Sequence, residues 1–591
     1  MAGSPIKARA LLSALLLLLI AGSWVWGDAP PTQPLATAGQ PSSHVSWRAR
    51  SQIMIDGQPT PLFWAVGMTE PKELDAYAAL GFNTVEIVLG APTGDTWKAA
   101  GNLAQAAAQR GLYVLLTLAP PGSALDRLGG VRSSPLDPAY RAGVLSYLQS
   151  VVPAGAELPG VVGWVVEGVD ADGPRYNRSD FVHYLLQWHR SITEIGRTWE
   201  TSLADFSGIT ENLVANLDAG KPLGLGRASV DLARYRSQVY QDILDVWARE
   251  IHRLDRKHVV LAGRQRSYRG IIAVPTGYDG ILLGLYPGVA EDDRQTHNVQ
   301  GVDIARRANQ FAALPVLKVS AAPSSATVAQ WVAEAVLHGA AGIGFADWRD
   351  LAGNENLRRD VRMALLVVRD LKLCPRVVTA TAAVLYEPFA AGGFAGQRPL
   401  YGWLTGASIT EPGRLFQALS RGTVFGPVDY LSESSLGDVD LSHYCVIIAP
   451  LALSLGPDEQ ASIIRYVAQG GTFLTDIGAG FAQTGSPDRL PPDLAGLFGV
   501  GPASGAYHGA VSFMGMAPLA RFPSIHGGTK TSGGTKPATF DPPVNTVLLS
   551  NGAVPVLAQW ESPPAFAGVM LRQHEKGWAL YATTRLWQNW E

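Results

Sequence analysis

Carboxylates stand where short apolar runs end. Glu167, Asp170 and Asp172 follow Val161 to Val166 (VVGWVV), Asp347 follows Gly342 to Phe345 (GIGF), and Glu86 lies inside Thr84 to Leu89 (TVEIVL). Acidic side chains at strand ends can serve as general acid, base or nucleophile when two of them converge. Ser320 closes a further run, Pro315 to Val319, and no base or third partner for it can be identified, so a serine hydrolase triad is not supported. Lys318, two residues earlier, shares its face of an extended strand. No Cys and His cluster has metal-ligand spacing, so neither metal nor cofactor is expected. With two cysteines the chain can close at most one disulfide, and Cys445, inside YCVIIA, reads as a buried strand thiol.

The elements that must position these groups alternate regularly. Apolar runs begin at Phe63, Thr84, Leu112, Val161, His258, Gly280, Pro315 and Gly342, and helical patterns separate most of them. Continuous apolar strands of this kind belong to a parallel sheet covered on both faces. Eight such units over roughly 300 residues is the size of a (β/α)8 TIM barrel, with an open doubly wound sheet as the structural alternative. The fourth and fifth runs are separated by a long helical insertion. A second α/β unit starts near Thr379, with a strand at Ser442 to Pro450, a helix at Pro457 to Gln469 and a strand at Gly470 to Thr475. Gly552 to Trp560 and Gly577 to Ala582 read as closing strands, and Gly505 to Thr539 reads as a loop-rich, mobile stretch.

The ends of the chain and its composition narrow the class. Lys7 and Arg9 precede an apolar run from Ala10 to Ala21, which reads as a secretory signal cleaved after Gly27 or as a retained membrane anchor. Residues 28–47, rich in Pro, Ser and Thr, form a linker; 48–376 is the barrel and 377–591 the second domain. An extracytoplasmic body follows from either reading of the N-terminus. Hydrophobic residues make up 47% and charged residues 16%, which describes a packed globular protein. A net charge of -3 gives no electrostatic reason for a nucleic-acid partner.

Several segments, in collinear order, resemble the family 42 glycoside hydrolases, which are β-galactosidases. Leu158 to Trp164 (LPGVVGW) resembles that family's fourth strand, and Ile195 to Glu200 and Asp231 to Gln238 resemble segments that follow it. Tyr286 and Pro287 match the end of the sixth strand, and His338 to Arg349 (HGAAGIGFADWR) gives the best match, at the eighth. Tyr444 to Pro450 and Tyr466 to Thr472 resemble the family's flavodoxin-like trimerisation domain, related to class I amidotransferases but here without an elbow cysteine. The resemblance implies a carbohydrate partner, a homo-oligomer such as a trimer, and an acid/base and nucleophile roughly 5–5.5 Å apart at the ends of strands four and seven.

At those two positions this chain has Val169 and Ser320. Glu167 lies two residues early, roughly 6–7 Å along a strand, and Asp170 follows in the loop. Glu167, Asp170 and Asp347 are therefore the catalytic candidates, and Trp348, Tyr286, Trp164 and Glu86 the substrate-binding ones; for Glu86 a satisfied barrel-interior residue is the better reading. Glu167 and Lys318 are expected to pair across the barrel beneath the vacant catalytic positions, since a buried lysine needs an acceptor. Two functions stay open: a glycosidase with relocated carboxylates, and an inactive relative that binds carbohydrate or scaffolds.

Overall fold

The computed structural model describes chiefly residues 45–48, 52–89, 94–118, 138–166, all but 190, 200 and 211 of 178–214, 227–265, 277–285, 312–319, 325–370, 380–386 and most of 428–582. The signal or anchor segment and nearly all of the linker lie outside them. A small antiparallel sheet comes first: β1 (Val45–Arg48), β2 (Gln52–Ile55) and β3 (Gln58–Pro59). Eight parallel strands follow: β4 (Leu62–Ala65), β5 (Thr84–Leu89), β6 (Tyr113–Leu118), β7 (Val161–Val166), β8 (Val259–Gln265), β9 (Gly280–Leu285), β10 (Ala312–Leu317) and β11 (Gly342–Phe345). Their order, β4-β11-β10-β9-β8-β7-β6-β5, is that of a (β/α)8 barrel. The seventh strand starts three residues before Pro315, because pairing with β9 runs unbroken from Ala312 to Leu317.

Alternation along each strand divides the side chains into two shells. Leu62, Trp64, Leu115, Leu261, Leu282, Ala312, Leu314 and Val316 fill the barrel, and β2 adds Ile53 and Ile55 to the same cluster. Phe63, Ala65, Val85, Ile87, Leu116, Val260, Leu283 and Leu317 face outward into a cluster shared with the surrounding helices. The interior row of β11 is glycine because its neighbours leave no room. A Cβ at Gly344 would stand 2.6 Å from the Trp64 indole, and one at Gly342 2.9 Å from the backbone nitrogen of Leu62.

Side chains stitch the seam between β4 and β5. Asn83 Oδ1 accepts the Phe63 N–H (2.7 Å), its own N–H reaches the Phe63 carbonyl (3.0 Å), and its Nδ2 donates to the Pro61 carbonyl (2.8 Å). Tyr77, on helix α1 (Leu74–Ala79), accepts the Ala65 N–H and donates to the Thr84 carbonyl, both at 2.7 Å. Burial pushes the Tyr77 phenol up, so it keeps the proton it donates.

Further helices are α2 (Asp95–Ala108), α3 (Pro138–Ala156), α4 (Arg178–His189), α5 (Ile192–Thr198), α6 (Arg227–Leu254), α7 (Ser325–Leu337), α8 (Trp348–Gly353) and α9 (Glu355–Asp370). The insertion between β7 and β8 has a core of its own, with Phe181, Tyr184, Ile195, Trp199, Leu232 and Tyr235 buried together.

Beyond Ala380 lies a second sheet. β12 (Ala382–Tyr386), β13 (Val428–Ser432), β14 (Val446–Ala449) and β15 (Thr472–Thr475) are parallel in the order β13-β12-β14-β15, next to Gly577–Ala582. That is the flavodoxin-like winding, with its switch point between β12 and β14. Val384, Tyr430 and Ile448 from one face of this sheet belong to the same buried cluster as the barrel's outer shell. Cys445 corrects the sequence reading: its thiol is free and exposed, since β14 begins one residue later. The strand Val500–Tyr507 runs into the stretch expected to be loop, Gly505 to Thr539, and Ala510–Phe513 is a strand within it. Cys374 lies outside the described residues.

Candidate active site

The C-terminal ends of barrel strands are where loops build sites, so the inward row there decides what the cleft offers. On β5 that row holds Glu86 and then Val88. Glu86, 3% exposed, sits inside the barrel, accepting the Trp64 indole N–H at Oε2 (3.1 Å) and the Thr117 hydroxyl at Oε1 (2.7 Å). Donors on β4 and β6 thus grip a carboxylate on β5 from both sides. Val88, one step nearer the mouth, is 51% exposed.

Asp347 lies at the mouth, immediately past β11, and is exposed. Its backbone has φ 68° and ψ 92°, a conformation that costs a side-chain-bearing residue about 1–3 kcal/mol. The Asp347 carboxylate accepts the Arg349 N–H (3.0 Å) as the cap of α8, and the Trp348 N–H reaches the Val66 carbonyl (2.7 Å). Strain held in place at a strand end is a feature of functional sites.

Two of the sequence candidates face the other way. Trp164 is fully buried on the outward row of β7, where a Cβ at Gly155 of α3 would come within 2.6 Å of its ring. Its Nε1 donates to Asp255 (2.7 Å), which also accepts from the Lys257 N–H (2.9 Å) and pairs with His258 Nδ1 (2.7 Å). Burial pushes the Asp255 carboxyl up, but these hydrogen bonds, led by His258, hold it below the usual carboxylate range. Trp348, 4% exposed, also packs in the outer shell, edge-on to Tyr77 at 5.1 Å, with its Nε1 donating to Glu73 (2.5 Å). Protein groups occupy both indoles, so neither is a platform for a sugar.

Lys318 continues the inward row of β10 beyond Val316 and is exposed, while Val319 turns outward and is buried. The lysine is not buried, so the physical reason for pairing it with a carboxylate beneath the mouth disappears. Glu167, Val169, Asp170, Asp172, Ser320 and Tyr286 lie outside the described residues. Of the seven candidate site residues, the structure places Asp347 at the mouth, Glu86 beneath it and both tryptophans outside the barrel.

A second polar network was not anticipated. In the insertion, Asp231 accepts the Trp199 indole N–H (2.8 Å) and pairs with His189 Nε2 (2.9 Å), joining α4, α6 and the end of α5. The available signals were the Asp255 to His258 spacing of three and an aspartate on the apolar face of α6. Burial works against a charged His189 ring, as does Arg234, but the hydrogen bond and charge of Asp231, aided by Glu194, outweigh it and raise its titration above the ordinary 6.5. A raised histidine contributes stability in full below its unfolded value and loses it as pH rises through the folded one. A His189→Gln variant is therefore expected to melt about 2–4 °C below the parent at pH 5.5, with the gap closing by pH 9. Melting curves across that range test this; a gap that widens with pH would contradict it.

Among the described residues no group of His, Cys, Asp or Glu could hold a metal ion, and no helix is long and apolar enough to cross a membrane.

The architecture is an eight-stranded barrel with a helical insertion after its fourth strand and a doubly wound sheet after its eighth. Solved structures share it along most of the chain. A catalytic mutant of Gan42B, a family 42 β-galactosidase from G. stearothermophilus, is 13% identical with a TM-score of 0.69, covering 92% of this chain and 86% of that one. The β-galactosidase of Bacillus circulans sp. alkalophilus is 16% identical with a TM-score of 0.68, covering 90% and 87%. The exo-β-1,4-mannosidase Op5Man5 from Opitutaceae bacterium strain TAV5 is more distant, 13% identical with a TM-score of 0.55, covering 93% and 94%. No family model and no curated protein matches the chain. The fold is that of the family 42 β-galactosidases.

Proposed function

We propose that this is a β-galactosidase-type glycoside-hydrolase-like protein that acts on or binds β-linked glycans in the barrel cleft. The observation that carries this reading is the joint likeness of barrel and appended sheet to β-galactosidases over nine-tenths of the chain. If the protein hydrolyses, Asp347 and the acids after β7, Glu167 and Asp170, are its carboxyl groups. A retaining mechanism needs two of them roughly 5–5.5 Å apart, an inverting one roughly 6.5–9.5 Å.

The second reading, a carbohydrate-binding relative without hydrolysis, is favoured by Val169 and Ser320 at the positions where the resemblance places the family's glutamates. Aryl β-glycoside hydrolysis run beside a glycan-array screen separates the two. Release of the aryl group that falls at least 100-fold in Glu167→Gln or Asp347→Asn supports the enzyme, a loss typical of removing one acid/base group. Retention without release supports the binding protein, and neither activity overturns the proposal. Export follows in this reading from the basic start and apolar run before Gly27, and a trimer from the appended domain's resemblance; sedimentation of the purified protein tests the latter.

A further inference from the structure

We infer that the glycan taken by this cleft is acidic, with its anionic group held by Lys318; the inference rests on the proposed carbohydrate reading of the same cleft. Register and burial carry it. Ala312, Leu314 and Val316 form the inward row of β10 and are at most 1% exposed, and Lys318 is the next member of that row. Because Val316 lies opposite Gly344, Lys318 lies level with Ala346, at the C-terminal rim of the barrel. Its ammonium therefore emerges at the face where barrels build sites.

Among the described residues, that mouth carries apolar side chains together with the exposed Asp347. Val88 is exposed there, and Val66 and Ala346 pack on the barrel interior just beneath it. Asp347 is the neighbouring acid, and it is turned to cap α8 through Arg349. Among the described residues Lys318 forms no ion pair. A cation level with apolar side chains suits a ligand with a C–H face and one negative group, as in a uronic acid: the ring covers the aliphatic side chains while the carboxylate meets the ammonium. Partial exclusion of water by a bound ring strengthens that contact relative to one on an open surface. A neutral galactoside gives the ammonium hydroxyl partners only, so charge is the expected discriminator.

The test is calorimetric binding of galacturonate trimers, sulfated galactose trimers and neutral galactose trimers to the full protein and to Lys318→Met and Lys318→Arg. Acidic trimers are expected to bind at least tenfold more tightly than neutral ones at low salt. That preference should vanish in Lys318→Met, persist in Lys318→Arg and shrink as salt is raised. Preference for either the carboxylated or the sulfated chain, lost in Lys318→Met, supports the inference and identifies the anionic group. Equal binding of neutral and acidic trimers overturns it while leaving the carbohydrate reading intact, as does a preference that survives Lys318→Met. Binding of no trimer overturns both.

Discussion

Replacing Trp164 by alanine is expected to destabilise the barrel by about 4 kcal/mol, within the range for deleting a buried aromatic side chain. The indole is fully buried between β7 and α3, and Gly155 is the residue that lets the helix approach it. Truncation opens a cavity in the outer shell, and the surrounding elements belong to a closed barrel that cannot collapse around it. It also takes one donor from Asp255, which keeps His258 and the Lys257 N–H. Phenylalanine restores most of the volume but not the donor, so Trp164→Phe should cost about 1–2 kcal/mol. Urea unfolding of the two variants separates the cavity from the hydrogen bond. A cleft role would give a different pattern: glycan binding would fall in Trp164→Phe with stability unchanged, and that result would overturn the outward placement.

The error over Trp164 shows what an apolar run can and cannot reveal. VVGWVV is covered on both faces, so its composition announces a buried parallel strand and nothing in it marks the inner side. The register shift between β6 and β7, where Val114 opposes Val161 but Leu115 opposes Gly163, places an extra residue in the strand and sets the parity of everything after it. Trp348 was hidden for a related reason. Asp347 turns the chain through a positive φ, which directs the next residue into the outer shell beside Tyr77. Asparagine or glycine would have advertised that turn; aspartate does so weakly.

Order along the chain was more legible than orientation. All eight barrel strands were readable because each apolar run needs two covering layers, and the helices between them supply one. The parallel core of the second sheet was readable for the same reason. Asp255 and His258 are spaced i,i+3, yet a polar couple at a helix end ordinarily reads as solvated surface. Only burial beneath Trp164 turns it into an internal network. Lys318 presents the reverse case. Its inward parity was correctly counted from sequence, but a parity count carries no depth, and depth decides whether a lysine must be paired or can wait for a ligand.

Depth also decides what Glu86 does, and its replacement has the other large expected effect. Glu86→Ala should destabilise the protein by about 3–5 kcal/mol, because it opens a cavity within the barrel and strands the Trp64 indole N–H and the Thr117 hydroxyl together. Glutamine keeps the shape, its oxygen still accepting the Trp64 indole N–H while its amide N–H₂ donates to the Thr117 hydroxyl, so Glu86→Gln loses only the charge on the acceptor and should cost at most about 1–2 kcal/mol. A double variant, Glu86→Gln with Thr117→Val, leaves the amide N–H₂ buried against a methyl group and should cost about 1–3 kcal/mol more than Glu86→Gln alone. Equilibrium unfolding measures all three. Binding by the folded variants then assigns the residue. Val88 separates Glu86 from the mouth, so glycan affinity in Glu86→Gln should stay within about twofold of the parent, well under 1 kcal/mol. A tenfold loss of affinity at unchanged stability would make Glu86 a ligand contact instead, and would mean that the glycan reaches one layer deeper into the barrel than the exposed row of Val88 and Lys318 defines.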